Sequence, residues 1–193
     1  MLKIFIDVET GGTDSKVNPL LQLSGIIDHD GKICGEFDFK IKPFKGQVAK
    51  KEALEVNKLT VDEILTFHEP LGVFDELKYL LNGKIDKFDK ADKAFFVGYN
   101  SRFDEEFLRQ FFINCADNEK DKQYGNGFGC YFWTPSIDVM QMAAIKLMSE
   151  RHQMPNFKLQ TVCERLGISG YDWHDAKADI TATRELYYKL QGF

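Results

Sequence analysis

The chain has 193 residues, of which 44% are hydrophobic and 28% are charged, and its formal net charge is -5. These values are typical of one globular domain over residues 1–193, and they exclude a collagenous or disordered chain. There is no apolar run long enough to span a membrane and no signal-peptide pattern, so the sequence predicts a cytoplasmic protein without a membrane partner.

The first predicted element is a short apolar run that contains two carboxylates and ends in a glycine pair, residues 4–12. Its length and its Ile and Phe content favour a buried central strand. Because side chains alternate along a strand, Asp7 and Glu9 point to the same face near its carboxyl end, where open α/β sheets have their sites. Either a divalent cation lies between the two carboxylates, or they are solvated acids at a strand end. Thr10, Gly11 and Gly12 are predicted to form a tight turn whose N–H groups can approach a phosphate or a sugar.

The next segments predict a hairpin and then helices. A strand over residues 20–27 is followed by turn residues 28–32 and by a returning strand over residues 33–41, so the first three strands are expected to be antiparallel neighbours. Residues 49–81 have a helical pattern, with a capping box at residues 60–63 and an apolar stripe of Phe74, Leu77, Leu80 and Leu81. Residues 82–93 are predicted to be a polar connection.

Lysines are concentrated between the third strand and the first helices, where acids are few. The cluster consists of Lys40, Lys42, Lys45, Lys50, Lys51 and Lys58. It is either a solvated loop or a track for phosphate groups. The negative net charge counts against a nucleic-acid-binding protein, but a site built from carboxylates that bind cations explains part of that charge.

A second buried strand is predicted over residues 94–98, followed by a helix in which Phe103, Phe107 and Phe111 have helical spacing. Asp104 lies at the start of that helix. The pattern Ser101-x-x-Asp104 resembles a capping box, and an acid is favourable in a first turn in any case. On this segment alone, helix capping is favoured over a chemical role for Asp104.

The C-terminal third predicts a surface loop over residues 114–129, a short final strand within residues 131–137 and three helices. Ser136 or Asp138 is expected to cap the first of them, which runs to about Met148. The second covers residues 157–166 and ends before Gly167, and the third covers residues 175–190. The four cysteines lack Cys-x-x-Cys spacing, which argues against a zinc knuckle or a disulfide framework.

His174 and Asp179 are five residues apart, which would put them on different faces of one continuous helix. If His174 lies on the loop before the helix, its imidazole can reach the same place as Asp179 in the second turn. Ala176, three residues before Asp179, would keep that helix face small. The alternative is an ordinary loop histidine and a solvated helix acid.

Together, three of these motifs resemble the sequence pattern of the DEDDh, or DnaQ-like, 3′–5′ exonuclease family. They are Asp7-x-Glu9-Thr10, Asn100-x-x-Phe103-Asp104 and His174-x-Ala176-x-x-Asp179. The resemblance extends to residues 52–60, to Ile137-Asp138 and to residues 156–167, and so covers nearly the whole chain. Two departures bear on substrate preference: Asn57 replaces a histidine that many members have, and residues 82–93 and 114–129 have no clear counterpart.

The resemblance implies a ribonuclease-H-like α/β fold, a mixed five-stranded sheet flanked by helices on both faces. It also implies two divalent cations, Mg²⁺ or Mn²⁺, bound by Asp7, Glu9, Asp104 and Asp179, with Asp7 bridging ions about 4 Å apart. Glu9 and Asp179 would complete one ion site, and Asp104 would act on the other, largely through water. His174 would be the general base that takes a proton from the attacking water.

The substrate implied by the resemblance is nucleic acid, DNA or RNA, with a free 3′ end, released as nucleoside 5′-monophosphates. Thr10 and Gly11 would hold the terminal sugar, and Tyr99, Asn100 and Phe103 would line the approach. Two other functions stay open: a catalytically silent nucleic-acid-binding module of the same fold, and a metal-dependent nucleotide phosphatase. The sequence does not distinguish DNA from RNA, because that contact is to a 2′-hydroxyl, and it does not indicate a polymerase partner or an oligomeric state.

Overall fold

The computed structural model describes residues 1–116, 127–173 and 176–192. Five strands form one mixed sheet in the order β3-β2-β1-β4-β5. They cover Leu2–Thr10 (β1), Leu20–His29 (β2), Lys32–Lys40 (β3), Phe95–Gly98 (β4) and Ile137–Asp138 (β5). The pair β1–β2 and the pair β2–β3 are antiparallel, whereas β4 is parallel to both β1 and β5. The predicted central position of the first strand and the antiparallel order of the first three strands are confirmed.

Helices cover both faces of the sheet, as the ribonuclease-H-like prediction requires. They are Lys51–Val56 (α1), Val61–Ile64 (α2), Pro70–Asn82 (α3), Ser101–Asn114 (α4), Phe128–Tyr131 (α5), Val139–Lys146 (α6), Leu159–Arg165 (α7) and Ala176–Gln191 (α8), with a 3₁₀ turn at Arg151–Gln153. One core packs α3 and α4 against β1 side chains such as Ile4 and Ile6. The other packs α6, α7 and α8 against Phe5 and Val97. Among the described residues, no helix is long and apolar enough to cross a membrane.

Several local predictions hold because the signals that support them are local. The β2–β3 hairpin turns at Asp30 and Gly31, both with positive φ. The Thr60–Glu63 capping box is formed at the start of α2, where the Glu63 N–H donates to Thr60 Oγ1 at 3.2 Å. Asp138, not Ser136, caps α6 by accepting the N–H of Met140 at 2.9 Å.

The region predicted to be helical over residues 49–81 forms three separate helices, α1 to α3. The short final strand predicted within residues 131–137 is shifted to Ile137–Asp138. Tyr131 instead ends α5, whose Phe128 packs edge-on against Phe112 of α4. The predicted loop over residues 114–129 lies partly outside the described residues.

A buried ion-pair network joins the hairpin to α8 at the end of the sheet opposite the carboxyl end of β1. Asp28, with no exposed surface, accepts hydrogen bonds from Tyr188 Oη at 2.6 Å, from the Gly31 N–H at 2.8 Å and from Arg184 Nε at 2.8 Å. Burial by itself would raise the pKa of Asp28, but these hydrogen bonds lower it below its usual value. The network fixes α8 against the sheet.

Candidate active site

Asp7 and Glu9 are half-buried at the carboxyl end of β1, in alternation with Ile6 and Val8, which lie in the core on the other face. Two residues earlier on the same face, Phe5 packs edge-on against Tyr187 of α8, with ring centroids 5.4 Å apart. The two acids therefore project toward the layer that contains α8, and Asp179 belongs to the first turn of that helix.

Asp104 reaches the same end of β1 from the opposite layer. It is buried, and its Oδ1 accepts a hydrogen bond from the backbone N–H of Val8 at 3.2 Å. Val8 lies between Asp7 and Glu9 in the chain, so this bond places the Asp104 carboxylate beside both acids.

The predicted capping role of Asp104 is wrong. The residue that precedes α4 is Asn100, which adopts a left-handed conformation with φ 64° and makes no side-chain cap. Ser101 is the first helical residue, and its hydroxyl pairs with that of Ser136 at 3.1 Å instead of capping the helix. Because neither partner of the expected capping box makes its bond, Asp104 is left facing the strand acids.

Electrostatic coupling shows that the four predicted carboxylates are brought together. The pKa of Asp7 is raised well above its usual value, first by burial and then by the charges of Asp104, Glu9 and Asp179. Burial also raises the pKa of Asp104, although the Val8 N–H opposes the change, and the charges of Asp138 and Glu9 raise it further. Four acids held this way repel one another, and a cation would relieve the repulsion.

The donors of this cluster are all carboxylate oxygens. Within the part of the chain that the structure describes, no three His, Cys, Asp or Glu side chains lie close enough to hold one ion directly. Mg²⁺ needs less than that, because it keeps several waters and binds through one or two carboxylates. The all-oxygen donor set therefore suits a hard divalent cation with part of its ligation supplied by water.

The turn after β1 is tightly built. A Cβ on Gly11 would lie 2.7 Å from Pro19 Cδ and 3.0 Å from Ala49 Cα, so only glycine fits there. The Gly11 N–H donates to the Pro19 carbonyl at 2.8 Å, and the Gly11 carbonyl accepts from Lys50 N–H at 2.7 Å. The interpretation that the Gly11 N–H is available to a phosphate is therefore wrong. Thr10 is buried, and its hydroxyl donates to the Gly12 carbonyl at 2.7 Å.

The three residues predicted to line the approach lie at the start of α4. Tyr99 is half-buried, its hydroxyl donates to the Phe157 carbonyl at 2.7 Å, and burial raises its pKa. Asn100 is exposed. Phe103 is half-buried and packs on Phe107 with ring centroids 4.9 Å apart. The described contacts give Tyr99 a bracing role and leave Asn100 available to a ligand.

His174 and Asp175 lie outside the described residues, as does the side chain of Ala176, so the predicted position of the base is not tested here. Asp138, which the sequence analysis gave as a helix cap and as part of the family resemblance but not as a site residue, lies next to the cluster. Its Oδ1 accepts the Asn100 N–H at 3.0 Å, and its charge raises the pKa of Asp104. The feature that could have identified Asp138 from the sequence is its position at the end of a strand beside β4.

Known proteins similar to this chain are nucleases and polymerases. A model of the Exonuclease family matches residues 4–187. Ribonuclease T of Hahella chejuensis is 28% identical over 198 residues, covering 98% of this chain and 83% of the relative. A PolC-type DNA polymerase III of Thermotoga petrophila is 23% identical over 97% of this chain, but only 12% of the relative is covered.

The fold also matches solved structures. A zinc-bound form of E. coli exonuclease I with single-stranded DNA matches 98% of this chain with a TM-score of 0.72 at 22% identity. The chain spans 40% of that protein. At this identity the match establishes the fold, and it confirms the predicted mixed five-stranded α/β architecture.

Proposed function

The chain belongs to the exonuclease family, and we propose that it removes nucleotides from the 3′ end of a nucleic-acid strand as 5′-monophosphates with the help of two divalent cations. The observation that best supports this proposal is the coupling of Asp7 to the other three acids. The pKa of Asp7 is raised first by burial and then by the charges of Asp104, Glu9 and Asp179, which come from three different elements.

We propose Asp7, Glu9, Asp104 and Asp179 as the residues that hold Mg²⁺ or Mn²⁺. When bound, such ions supply Lewis-acid activation of the attacking water and neutralise the leaving oxygen. The chain's own contribution is to hold four carboxylates at one place, where their mutual repulsion favours the binding of a cation. The Val8 N–H helps by donating to Asp104, which favours the charged form.

His174 is proposed as the general base that accepts the proton of the attacking water. An imidazole suits this role because its unperturbed pKa of about 6.5 lies close to neutral pH. Thr10 and Gly11 are proposed to face the terminal sugar, and Tyr99, Asn100 and Phe103 to line the approach to it. The whole of residues 1–193 is proposed to act as one exonuclease domain.

Both DNA and RNA are candidate substrates. One relative's name refers to RNA, and one structural neighbour holds single-stranded DNA. These names describe those proteins, so a comparison of matched oligonucleotides is needed for this chain.

The test uses oligonucleotides of one sequence as single-stranded DNA, duplex DNA and RNA, each labelled at the 5′ end. With Mg²⁺, we expect a ladder that shortens from the 3′ end and releases 5′-monophosphates, whereas excess EDTA should stop the reaction. Asp7→Asn should abolish it, and Asp62→Asn, a change at an exposed acid of α2, should not. Release of inorganic phosphate from mononucleotides would favour a phosphatase. Binding without cleavage would favour a silent module.

A further inference from the structure

A groove with a volume of about 520 Å³ lies between the end of α4 and two surface loops. We name it the α4 groove. Its lining consists of Lys16, Phe44, Lys45, Gly46, Gln47, Ile113 and Asn114. Among the residues that the structure describes, the lining therefore contains two cations, one aromatic ring and two amide side chains, but no carboxylate.

The two lysines of the α4 groove keep their charge available for a ligand. Both are exposed, and neither forms an ion pair with any residue in 1–116, 127–173 or 176–192. Other members of the predicted lysine cluster differ, because Lys42 pairs with Glu69 at 2.7 Å and Lys51 with Glu55 at 3.6 Å. Asp14, two residues before Lys16, accepts the Lys16 backbone N–H and is not among the described lining residues. An anionic ligand is therefore favoured.

Phe44 makes the α4 groove more specific than a basic patch. Its half-buried ring packs against Phe111 of α4 with centroids 6.0 Å apart, and its N–H donates to Gln47 Oε1 at 3.0 Å. A fixed aromatic face beside lysines is the combination that binds single-stranded nucleic acid, because bases stack on the ring while cations follow the phosphates.

Hydrogen bonds tie the loops of the α4 groove to the turn that follows β1. The two loops that build the groove are hydrogen-bonded side by side: Lys50 N–H donates to Gly11 O at 2.7 Å and Val48 N–H to Val17 O at 3.0 Å. The Ser15 hydroxyl also donates to Glu106 of α4 at 3.3 Å. The groove is thus held in a fixed position relative to Glu9, two residues before Gly11.

The length of helix α4 gives the distance from the carboxylates at the end of β1 to the α4 groove. Asp104 and Asn114 lie at the two ends of this path, and a rise of about 1.5 Å per residue separates them by about 15 Å. A stacked strand advances about 3.4 Å per nucleotide, so about four nucleotides span the path. We propose that the α4 groove binds the single-stranded substrate about four nucleotides before its 3′ end, an inference that rests on the proposed function.

The test compares a trinucleotide, too short to reach the α4 groove, with a single-stranded oligonucleotide of about 20 nucleotides. The charge-reversal variant Lys16→Glu with Lys45→Glu should lower kcat/KM on the long strand by about tenfold or more, since phosphate contacts are lost. It should leave kcat/KM on the trinucleotide unchanged. Lys90→Glu, at an exposed lysine between α3 and β4, is the control and should change neither value.

A binding measurement gives a second readout. The double change Lys16→Gln with Lys45→Gln should reduce the salt dependence of long-strand binding, lowering the slope of log K against log salt by about 1.4, or about 0.7 for each lost contact. Three results would overturn the proposal that the α4 groove binds the substrate. They are equal losses of kcat/KM on both lengths, no loss of kcat/KM on the long strand, and the same loss in Lys90→Glu. If the unchanged protein cleaves neither substrate, the proposed function fails instead, and fluorescence anisotropy with the long strand in EDTA still decides whether the groove binds it.

Discussion

The Asp104 carboxylate accepts the backbone N–H of Val8, a residue 96 positions earlier in the chain, at 3.2 Å. Strand β4 pairs with β1 only at Lys3, Ile4 and Phe5, so the end of β1 projects beyond this neighbour. The Asp104 side chain takes a hydrogen bond there and brings its charge beside Asp7 and Glu9. One contact thus joins the strand that contributes two acids to the helix that contributes a third.

This relationship predicts different results for two substitutions of Asp104. Asparagine keeps an oxygen that can accept the Val8 N–H, so Asp104→Asn should fold at least as stably as the metal-free protein. Asp104→Ala leaves that N–H without its acceptor and should be less stable than Asp104→Asn by about 1 kcal/mol in urea unfolding. Both should lower exonuclease turnover by at least about 100-fold, because several kcal/mol of metal-dependent stabilisation are lost. Normal turnover in Asp104→Asn would contradict its role.

The raised pKa values of Asp7 and Asp104 predict that metal-free protein loses stability as pH rises. A carboxyl group whose pKa is higher in the folded state contributes fully below its unfolded pKa of about 3.9, and this contribution is lost as pH rises through the folded pKa. Urea midpoints measured in EDTA from acidic to neutral pH should therefore fall, and Asp7→Asn should flatten the fall. An identical slope in Asp62→Asn and Asp7→Asn would contradict this prediction.

Sequence reasoning located the acids of β1 because their signals are local: an apolar run, alternation and a glycine turn. On its own segment, Asp104 was taken for a helix cap because Ser101-x-x-Asp104 looks like a capping box, whereas the Ser101 hydroxyl is bonded to Ser136, 35 residues away. Sequence reasoning started the last strand too early because Tyr131 ends α5, which packs Phe128 on Phe112 of α4, and the strand itself is Ile137–Asp138. In each failure, a long-range partner outweighed a local preference.

Divalent cations should stabilise the fold through the same four acids. A ligand that binds only the folded state adds about 2.7 kcal/mol at a concentration 100 times its Kd. We therefore expect Mn²⁺ to raise the Tm of the unchanged protein and to raise that of Asp179→Asn by much less. Tm is measured with and without excess EDTA, and Asp62→Asn serves as the matched control. If Mn²⁺ raised the Tm of Asp179→Asn as much as that of the unchanged protein, Asp179 would not be a ligand of the cation.

The Asp28 network gives a stability prediction separate from activity. Asp28→Asn removes the carboxylate that pairs with the half-buried Arg184 and the buried Lys3, and it should cost about 3 kcal/mol in unfolding free energy. Glu36→Gln, which breaks the exposed pair with Lys177, should cost less than about 1 kcal/mol. Since the pKa of Asp28 is lowered in the folded state, its contribution is present above about pH 3.9 and lost as pH falls. Turnover per folded molecule should not change.

The last prediction concerns His174, which lies outside the described residues, so kinetics rather than geometry must test it. A positioned base contributes roughly 10²–10⁴-fold to turnover, and His174→Ala should lose that factor while the Mn²⁺-induced gain in Tm survives, because the residue is not a proposed ligand. The wild-type single-turnover rate should rise with pH through an imidazole titration near pH 6.5, and the variant should lack that rise. His152→Ala, at an exposed histidine in the 3₁₀ turn, should keep both the rate and the pH profile. Superimposable profiles for wild type and His174→Ala would show that another group accepts the proton.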